Sequence, residues 1–488
     1  MSTGSDHSEI VRRQARLAPD SIAVMRMRSA GAPAETTTYR ELDRSIDAVA
    51  HRLLGAGVRA GTVANVAHTA HYARLVVMLA LARAGATSTP AADPAIAIVQ
   101  IVAPGRRGDD AMLRIELPEF GLNDPIAGDS VAPVVSGVGP DDLAHVLASS
   151  GSTGKPKAIA LTHRQFDRRL DALARAVALP AAPRICCPLG PFGGYGYRYL
   201  MFALASGGTI VIAQHNDELA RTIGDAGVQY LVLAPSTLRD LVTNAGPDHT
   251  PYPALIGIEV GGSHVSEVLR RAAQERLCPR IAINYGTAES GPVSVGYVDD
   301  TLGIPHAAGR VIPGVEVEIV DESGHPLAPG RTGRIRVRSE GCASGYFGAP
   351  PGAGAVFRDG WVYTRDTGTL SADRILAIHG RTGEIINAGG VKIAPADFED
   401  RLQRLPGVAD ACVFAVADAM GVDQVWAAIV PGPGFDGEAF RVAAKSAMGA
   451  YAPRGVLVIR TLPRNANGKV VRNELVAIAL AQQKRPLA

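Results

Sequence analysis

Residues 149–157 combine hydroxyl, glycine and lysine side chains in one short run, Ser-Ser-Gly-Ser-Thr-Gly-Lys-Pro-Lys. Glycines let backbone N–H groups converge on an anion, hydroxyls add donors, and lysines add mobile positive charge. The run therefore predicts a loop around a polyphosphate, and a flexible Ser/Gly linker is the alternative. It does not fit a Walker-type phosphate loop, in which Ser or Thr follows Gly-Lys, because Pro156 stands at that position.

Four short apolar runs further along the chain have the pattern of buried parallel strands, because helical stretches separate them. They are Thr209–Ile212, Tyr230–Leu233, 256–260 and 281–284. The last three end in loops of small or polar residues at 234–236, 261–263 and 285–287. In open parallel sheets, ligands bind beyond the carboxyl ends of the strands, so these loops outline a pocket.

The segment 150–157 resembles the phosphate loop of the ANL superfamily, which comprises acyl-CoA synthetases, adenylation domains of non-ribosomal peptide synthetases, and luciferases. Other segments resemble further motifs of that superfamily, in the same order along the chain. They are 38–42 (N-terminal signature), 261–263 (adenine side), 284–289 (second nucleotide segment), 363–368 (ribose segment), 380–381 (domain junction) and 463–469 (catalytic loop). The resemblance covers essentially the whole chain.

The resemblance implies an enzyme that uses ATP to convert a carboxylic acid into an acyl-AMP, with release of pyrophosphate. In this interpretation Tyr285 stacks on adenine, Asp366 accepts both ribose hydroxyls and Arg381 lies near the ribose. The nucleotide-binding residues that it implies are Ser150, Gly151, Ser152, Thr153, Gly154, Lys157, Gly261, Gly262, Ser263, Asn284, Tyr285, Gly286, Thr287, Asp366 and Arg381.

Charge neutralisation is the main physical problem of this reaction, because a carboxylate must approach an anionic phosphate. The resemblance assigns that task to Lys469, which reaches into the pocket, and to Mg²⁺ held by Glu289 and Thr153. A carboxylate is the ligand type that a hard cation requires. An isolated glutamate or a lysine near a chain end is usually a solvated surface charge, so the surrounding motifs carry these assignments.

The implied fold is α/β, with two domains. Residues 1–382 would form a large N-terminal domain of layered sheets and helices with a distorted β-barrel part, and residues 383–488 a small, mobile α+β C-terminal domain. In the superfamily the small domain rotates between acyl-AMP formation and acyl transfer, and the resemblance places the hinge at Gly383. Helical spacing predicts a helix over 39–54 and a second unit that contains a helix from Pro395.

Several positions depart from the superfamily pattern. Ala158 and Ala288 replace a glycine and a phosphate-contacting threonine, and Arg365 replaces the glycine before the ribose aspartate. Gly383 stands where a hinge carboxylate is common, which predicts a looser pivot, and Asn387 replaces a frequent lysine. Alanine at position 288 is frequent among enzymes that activate aryl acids.

Residues 188–198 resemble the start of the acyl pocket and contain no aspartate to hold an α-ammonium group, so an α-amino acid substrate is not expected. Aromatic side chains among glycines suit a flat aromatic acid, although Phe192, Tyr195 and Tyr197 could equally be ordinary core residues. The predicted substrate-binding residues are Phe192, Gly193, Gly194, Tyr195, Gly262, Gly286 and Gly291.

The acyl acceptor is open on the sequence alone. Coenzyme A is the commonest acceptor in the superfamily, a carrier-protein phosphopantetheine thiol is the next, and a free amine that gives an amide is the third. A non-catalytic nucleotide-binding homologue is the alternative of another class. A P-loop ATPase or kinase is not favoured, because the Walker-type motif is missing.

Composition and charge narrow the possible partners of the 488-residue chain. It carries 49 Lys and Arg against 47 Asp and Glu, a formal charge of +2, and the basic residues are scattered. No nucleic acid or membrane partner is therefore expected. The five cysteines form no C-x-x-C pair, and the polar residues 1–7 do not resemble a secretory signal, so we expect a reduced, cytoplasmic protein.

Overall fold

The structure, a computed structural model, describes the chain apart from residues 1–5, 29–31, 107–108, 123, 125–131, 135–136, 150–156, 214–215, 247–248, 302, 350–354, 383, 385, 389–390, 419–422, 466–467 and 484–488. Its helices are α1 (Glu9–Leu17), α2 (Tyr39–Gly55), α3 (His71–Arg83), α4 (His163–Ala176), α5 (Gly194–Ala205), α6 (Asn216–Asp225), α7 (Pro235–Ala245), α8 (Glu267–Arg276), α9 (Pro395–Gln403), α10 (Gly437–Met448) and α11 (Arg472–Gln483). The predicted helix over 39–54 is confirmed as α2, which Thr38 and Glu41 cap reciprocally.

The strands are β1 (Ile22–Arg26), β2 (Glu35–Thr38), β3 (Val63–Val66), β4 (Thr87–Thr89), β5 (Val99–Val102), β6 (Leu113–Glu116), β7 (Leu143–Ser149), β8 (Lys157–Thr162), β9 (Arg184–Cys186), β10 (Thr209–Ile212), β11 (Tyr230–Leu233), β12 (Gly257–Gly261), β13 (Ile281–Thr287), β14 (Gly291–Tyr297), β15 (Ala307–Val311), β16 (Glu316–Val320), β17 (Gly333–Arg338), β18 (Phe357–Arg358), β19 (Trp361–Leu370), β20 (Ile375–Arg381), β21 (Ile386–Ala388), β22 (Val391–Ile393), β23 (Val408–Ala417), β24 (Asp423–Pro431) and β25 (Gly455–Val458).

The four predicted parallel strands are confirmed as β10, β11, β12 and β13. They lie in one sheet in the order β13-β12-β11-β9-β10-β1, with every neighbouring pair parallel. Their side chains are buried on both faces, and helices α6, α7 and α8 contribute to the apolar cluster on one of them. The carboxyl ends of β12 and β13 meet at one edge of the sheet, where the nucleotide motifs lie.

Two of the three predicted loops are instead regular structure. Strand β13 continues through residues 285–287, because it pairs antiparallel with β14 after a bulge at Tyr285 and Gly286. At 234–236 the chain enters α7 directly, with Pro235 in the first helical turn, where a missing N–H costs nothing. Residues 262–263 lie outside any helix or strand, as predicted.

Antiparallel strands extend the same sheet in the order β13-β14-β15-β20-β19-β17-β16. They occupy the part of the chain for which the resemblance implies the distorted barrel, and β16 and β17 pair antiparallel at its end. A second sheet, in the order β6-β5-β3-β4-β7-β8, carries the phosphate-loop segment between its last two strands. The architecture is mixed α/β with layered sheets, as the resemblance implies.

Residues 386–483 fold around their own sheet, β23-β24-β25, and we call them the C-terminal unit. Two apolar clusters lie within this unit, and they are centred on Val413 and Ile429 in one and on Phe414 and Leu475 in the other. Helix α9 begins at Pro395, as predicted. The C-terminal unit is therefore a small α+β body with an independent core.

Among the helices that the structure describes, none is long and apolar enough to cross a lipid bilayer. Helix α3 ends at Arg83, which is fully buried and forms ion pairs with Asp43 and Asp47. All five cysteines are free thiols.

Candidate active site

The predicted phosphate loop falls mostly outside the described residues. Ser150, Gly151, Ser152, Thr153 and Gly154 belong to that part, so their roles, including Thr153 as a catalytic and metal-binding residue, stay predictions. The described end of the segment is Lys157, the first residue of β8, whose ammonium lies 4.8 Å from the centre of the Tyr346 ring. The lysine is exposed and faces the same region as Glu289, whose charge acts on Tyr346.

The predicted ribose site is assembled from three motifs that are distant in sequence. The Tyr285 hydroxyl donates to Asp366 Oδ2 at 2.7 Å, and Arg381 Nε donates to Asp366 Oδ1 at 3.0 Å. Asp366 is buried, and the adjacent strands β19 and β20 pair Asp366 directly with Arg381. Burial, with the Asp366 charge, raises the pKa of Tyr285 well above its usual value, so the phenol stays a hydrogen-bond donor.

Asn284 precedes this cluster on β13 and is buried. Its Nδ2 has no hydrogen-bond partner within the described part of the chain. An unpaired buried amide costs about 1–3 kcal/mol, so this donor is suited to a ligand. The Thr287 hydroxyl is less available to a ligand than this amide, because it forms a hydrogen bond of 3.0 Å with Ser290 Oγ. Gly286, which was predicted to contact both the nucleotide and the acyl substrate, lies between Asn284 and Thr287 and is exposed.

Glu289 is held by a residue that sequence reasoning missed. The buried Arg169 of α4 donates to the carbonyl oxygens of Ala288 at 3.0 Å, Glu289 at 3.1 Å and Gly341 at 2.7 Å. No hydrogen bond or ion pair from the described residues occupies the Glu289 carboxylate, so its oxygens are available to a cation. Arg169 therefore fixes the backbone that presents the predicted Mg²⁺ ligand.

Gly291 has a φ of +73°, and a Cβ there would lie 2.8 Å from Arg169 Nε. It was predicted to contact substrate, and the structure places it against the positioning arginine. Only glycine allows both this backbone conformation and this close approach.

The predicted adenine-side residues begin at Gly261, the last residue of β12. Gly261 is buried, and a Cβ on it would lie 2.8 Å from the Tyr195 hydroxyl. Gly262 and Ser263 are exposed at the sheet edge, and Gly262 has a φ of +94°. The glycine at 261 therefore leaves the space that Tyr195 fills.

The predicted acyl pocket begins at the N-terminus of α5. Phe192, Gly193, Gly194 and Tyr195 are half-buried there, and the Arg74 guanidinium lies 4.4 Å from the centre of the Phe192 ring. Tyr197 instead packs in the core against Phe166, because it lies on another face of the helix. Tyr197 is thus a core residue, and Tyr195 also packs against the edge of the same core cluster. Contact of Phe192 and Tyr195 with a substrate stays a prediction.

A buried carboxylate behind Tyr195 was also missed by the sequence analysis. Glu259 of β12 is fully buried and accepts from the hydroxyls of Tyr195 at 3.3 Å, Tyr230 at 2.9 Å and Tyr199. Burial raises the pKa of Glu259. Glu259, which also accepts from Tyr199 and Tyr230, orients the Tyr195 hydroxyl through hydrogen bonds that no linear motif predicts.

Lys469 is presented by a tight turn in the C-terminal unit. Its N–H donates to Asn465 Oδ1 at 3.1 Å, and Gly468 adopts a φ of +75°. A Cβ on Gly468 would lie 2.9 Å from Ser236 Oγ, so the turn packs directly on the start of α7. The turn that carries Lys469 and the start of α7, which follows β11, therefore meet.

An ion-pair network fastens this turn to helix α7. The buried Asp410 of β23 pairs with Arg464, at 2.7 Å, and with Arg239 of α7. Arg464 also donates to the Gly468 carbonyl at 2.8 Å. Asp410 thus links the position of the Lys469 turn to the large part of the molecule, by which we mean the residues before the C-terminal unit.

Lys469 lies among the predicted site residues. Burial, and next the charge of Arg381, lower the pKa of Lys469 to about 8, whereas Asp366, Glu384 and Glu289 act to raise it. A half-buried ammonium near several carboxylates is a cation that anionic phosphates can readily engage. The structure therefore brings together Lys469, Asp366, Arg381 and Glu289.

This lowered pKa predicts an alkaline limit for adenylation. Because the cation is the active form, kcat/KM for ATP in acyl-AMP formation should be level below about pH 8 and fall about tenfold per pH unit above it. Acid-dependent exchange of labelled pyrophosphate into ATP measures this step alone. In Lys469→Arg the decline should shift to much higher pH, and an unchanged decline in that variant would assign it to another group.

The hinge and the sequence departures are only partly described. Gly383 lies outside the described residues, and its neighbour Glu384 pairs with Arg472 at 3.0 Å. Ala288 is half-buried, with its carbonyl on Arg169. Arg365 and Asp366 are neighbours on β19, and successive side chains of a strand point to opposite faces of the sheet. Accordingly, Arg365 is exposed whereas Asp366 is buried. The added charge therefore does not lie inside the ribose site.

Family comparisons agree with this geometry. Residues 11–97 and 93–347 match the AMP-binding enzyme family model, and residues 397–469 match the AMP-binding enzyme C-terminal domain. The chain therefore belongs to the AMP-binding enzymes, the adenylate-forming ligase family that the motif resemblance implies. 

Two relatives and one solved structure illustrate what the chain is similar to. A 4-coumarate--CoA ligase-like protein of Oryza sativa is 30% identical over 74% of this chain and 65% of its own length. A feruloyl-CoA synthase of an Amycolatopsis species is 27% identical over 95% of this chain and 97% of its own. The amide bond synthetase McbA of Marinactinospora thermotolerans shares the fold, with a TM-score of 0.83, 24% identity and coverage of 97% and 99%.

Proposed function

We propose that this protein is an ATP-dependent ligase that converts an aromatic carboxylic acid into its acyl-AMP and then transfers the acyl group to coenzyme A. The observation that carries the proposal is the convergence of Lys469 with Asp366, Arg381 and Glu289. Three motifs of the large part and one loop of the C-terminal unit meet there. This arrangement suits a reaction in which a nucleotide is held by its ribose while charge is neutralised at its phosphates.

In the first step, a carboxylate oxygen of the acid attacks the α-phosphorus of ATP, and the bond to the bridging β-phosphate oxygen breaks. Pyrophosphate leaves with that electron pair, and the product is a mixed anhydride. Lys469 would neutralise charge at the reacting phosphates, and Asp366, held by Tyr285 and Arg381, would fix the ribose. The cation on Lys469 needs no proton transfer in this step.

Mg²⁺ would be held by Glu289 and Thr153, where it supplies positive charge to the phosphate oxygens. The fit rests on the carboxylate of Glu289, which is open to a ligand and whose backbone Arg169 fixes.

In the second step, the thiolate of the acceptor attacks the acyl carbon. The bond between the acyl carbon and the phosphate oxygen of AMP breaks, and AMP leaves with its electron pair. The thiol proton passes to solvent or a base.

An aromatic acid is the substrate class that the pocket favours. Phe192 and Tyr195 offer ring contacts, and Gly193 and Gly194 leave room for a flat ligand. Because the Tyr195 hydroxyl donates to Glu259, its oxygen keeps a lone pair for a substrate donor. An aryl acid with a phenolic hydroxyl therefore fits, and the names of the rice and Amycolatopsis relatives denote acids of this kind.

Coenzyme A is proposed as acceptor because both of these relatives are named for CoA products. A carrier-protein thiol is the acceptor named for a ligase of Streptomyces coeruleorubidus that is 29% identical. A free amine is the third acceptor to be tested. We further propose that residues 1–382 form the nucleotide- and acid-binding domain and that residues 383–488 form a lid that pivots at Gly383.

The test is a substrate panel. The protein is incubated with ATP, Mg²⁺ and hydroxylated aryl, unsubstituted aryl or medium-chain aliphatic acids, each alone, with CoA and with a simple amine. Pyrophosphate, AMP and product mass are measured. We expect acid-dependent pyrophosphate release with hydroxylated aryl acids above all others, and an aryl-CoA product.

Each other outcome has a defined meaning. Release with aliphatic acids only would overturn the pocket assignment, and an amide or no thioester would overturn the acceptor. ATP binding without pyrophosphate release under any acid would make the protein a non-catalytic nucleotide-binding homologue.

A further inference from the structure

A cluster of histidines and aspartates lies where the C-terminal unit packs on the large part of the molecule. His264 follows the adenine-side loop, and His306 immediately precedes β15. Asp397 and Asp400 lie three residues apart on α9, so they share one helix face. None of these four residues has a role in the proposed reaction.

Two imidazoles and one carboxylate converge in this cluster. One ligand atom from each of His264, His306 and Asp400 lies within 4.8 Å of the others. His264 Nε2 is 2.8 Å from Asp400 Oδ1, and His306 Nδ1 is 3.9 Å from Asp400 Oδ2. The centres of the two imidazole rings are 5.4 Å apart.

His306 provides an independent sign that this cluster can bind a ligand. Its side chain is 7% exposed, and its Nδ1 has no hydrogen-bond partner in the part of the chain that the structure describes. Its Nε2 pairs with the carboxylate of Asp397. A histidine that pairs with a carboxylate through one ring nitrogen and offers the other to a ligand is the arrangement of carboxylate–histidine–metal triads.

The backbone of His306 is also unusual. Its φ is +57°, a left-handed conformation that non-glycine residues adopt at a cost of about 1–3 kcal/mol. The conformation aims a buried, singly paired imidazole at the gap between His264 and Asp400. Strain of this kind is concentrated at sites where the side chain has a task.

We propose that His264, His306 and Asp400 form a binding site for a borderline divalent cation, Zn²⁺, with Asp397 orienting His306. Two nitrogens and one oxygen suit Zn²⁺ and leave one of four positions open. Bonds of about 2.0–2.2 Å need ligand atoms about 3.4 Å apart. The widest separation among the three ligand atoms, at most 4.8 Å, must therefore shorten by up to about 1.4 Å. Mg²⁺ prefers all-oxygen ligands and does not fit this set.

The site would join two parts of the molecule. His264 and His306 belong to the large part, whereas Asp400 belongs to the C-terminal unit, so one cation would tie the two together. The ion pair between Arg404 and Glu267, at 2.8 Å, lies at the same contact. Lys469 is turned inward in this arrangement, which is the one that suits adenylation. If the proposed function holds, bound Zn²⁺ would therefore leave adenylation intact and slow acyl transfer, because the C-terminal unit could not rotate.

The binding test uses the full-length protein without nucleotide or acid, so it does not depend on the proposed function. The protein is freed of metal and titrated with Zn²⁺ against a chromophoric chelator. Co²⁺ is added to a second sample to read the visible absorption of a four-coordinate site. We expect one Zn²⁺ per chain, no competition from millimolar Mg²⁺, and an intense Co²⁺ spectrum.

Variants identify the ligands. His264→Gln, Asp400→Asn and His306→Asn should each weaken Zn²⁺ binding at least about 100-fold, and Asp397→Asn about 10- to 100-fold. Asparagine is used at 306 because it tolerates a positive φ. The matched control is His325→Gln, since His325 is an exposed histidine that also faces a carboxylate, Asp321, at 3.6 Å.

Melting temperatures without metal show whether each variant is folded. Absent binding, or binding that His325→Gln weakens as much as the cluster variants do, would overturn the site. The cluster would then be a set of hydrogen bonds between the two parts.

Discussion

Lys469→Ala is expected to lower the rate of acyl-AMP formation by about 10²- to 10³-fold, the usual effect of removing one preorganised charged group from a phosphate site. The structure gives the physical reason, because the Lys469 ammonium lies among Asp366, Arg381 and Glu289. Acid-dependent pyrophosphate release measures the effect. ATP binding should change far less, because ribose contacts by Asp366 remain.

The variant should keep its fold, since Lys469 is half-buried and carries a charge that burial disfavours. Lys445→Ala is the matched control, because Lys445 is an exposed lysine on α10 of the same unit. A supplied acyl-AMP should still be converted to thioester by Lys469→Ala. Normal pyrophosphate release by a folded Lys469→Ala protein would remove Lys469 from the mechanism.

Local motifs were sufficient to name residues that the structure brings together. Asp366 and Arg381 were predicted separately, and the structure pairs them across β19 and β20. The parallel strands followed from apolar runs alone, because strands buried on both faces leave a continuous signal. The extent of β13 did not follow, since its last residues take their structure from pairing with β14.

The supporting residues could not be predicted, because their partners lie far away in sequence. Arg169 contacts the carbonyls of residues that follow it by 119 and 120 positions, and Asp410 meets Arg239 across 171 positions. Glu259 is surrounded by tyrosines from α5 and β11. A charged residue within an apolar stretch, as Glu259 is within β12, was the one available signal.

Arg169 is the residue from which we expect the second large effect, on the response to Mg²⁺. Arg169→Met removes the donors that hold the carbonyls of Ala288 and Glu289, so the Glu289 carboxylate loses its fixed position. Replacing a residue that orients a metal ligand typically lowers metal affinity or activity by about 10- to 100-fold. We expect the Mg²⁺ concentration for half-maximal pyrophosphate release to rise by that factor, with KM for the acid unchanged.

Stability should change less than the Mg²⁺ response, because two contributions oppose each other. Burial, and next the charge of Arg198, lower the pKa of Arg169 to about 9, so removing this cation relieves a cost. Leaving buried carbonyls unpaired adds about 1–3 kcal/mol for each that water cannot reach. We therefore expect the free energy of unfolding to fall by less than about 3 kcal/mol, which denaturant titration measures.

The neighbouring Arg168 provides the matched control for Arg169→Met. It is 40% exposed on the same helix and pairs with Glu340 at 2.7 Å and Asp171 at 3.4 Å, without contacting Glu289. Arg168→Met should leave the Mg²⁺ response unchanged, and Arg169→Lys should restore it only partly, because one ammonium cannot reproduce the fork of a guanidinium. If Arg169→Met lowered stability but kept the wild-type Mg²⁺ dependence, Arg169 would be a structural residue and Glu289 would hold its position without it.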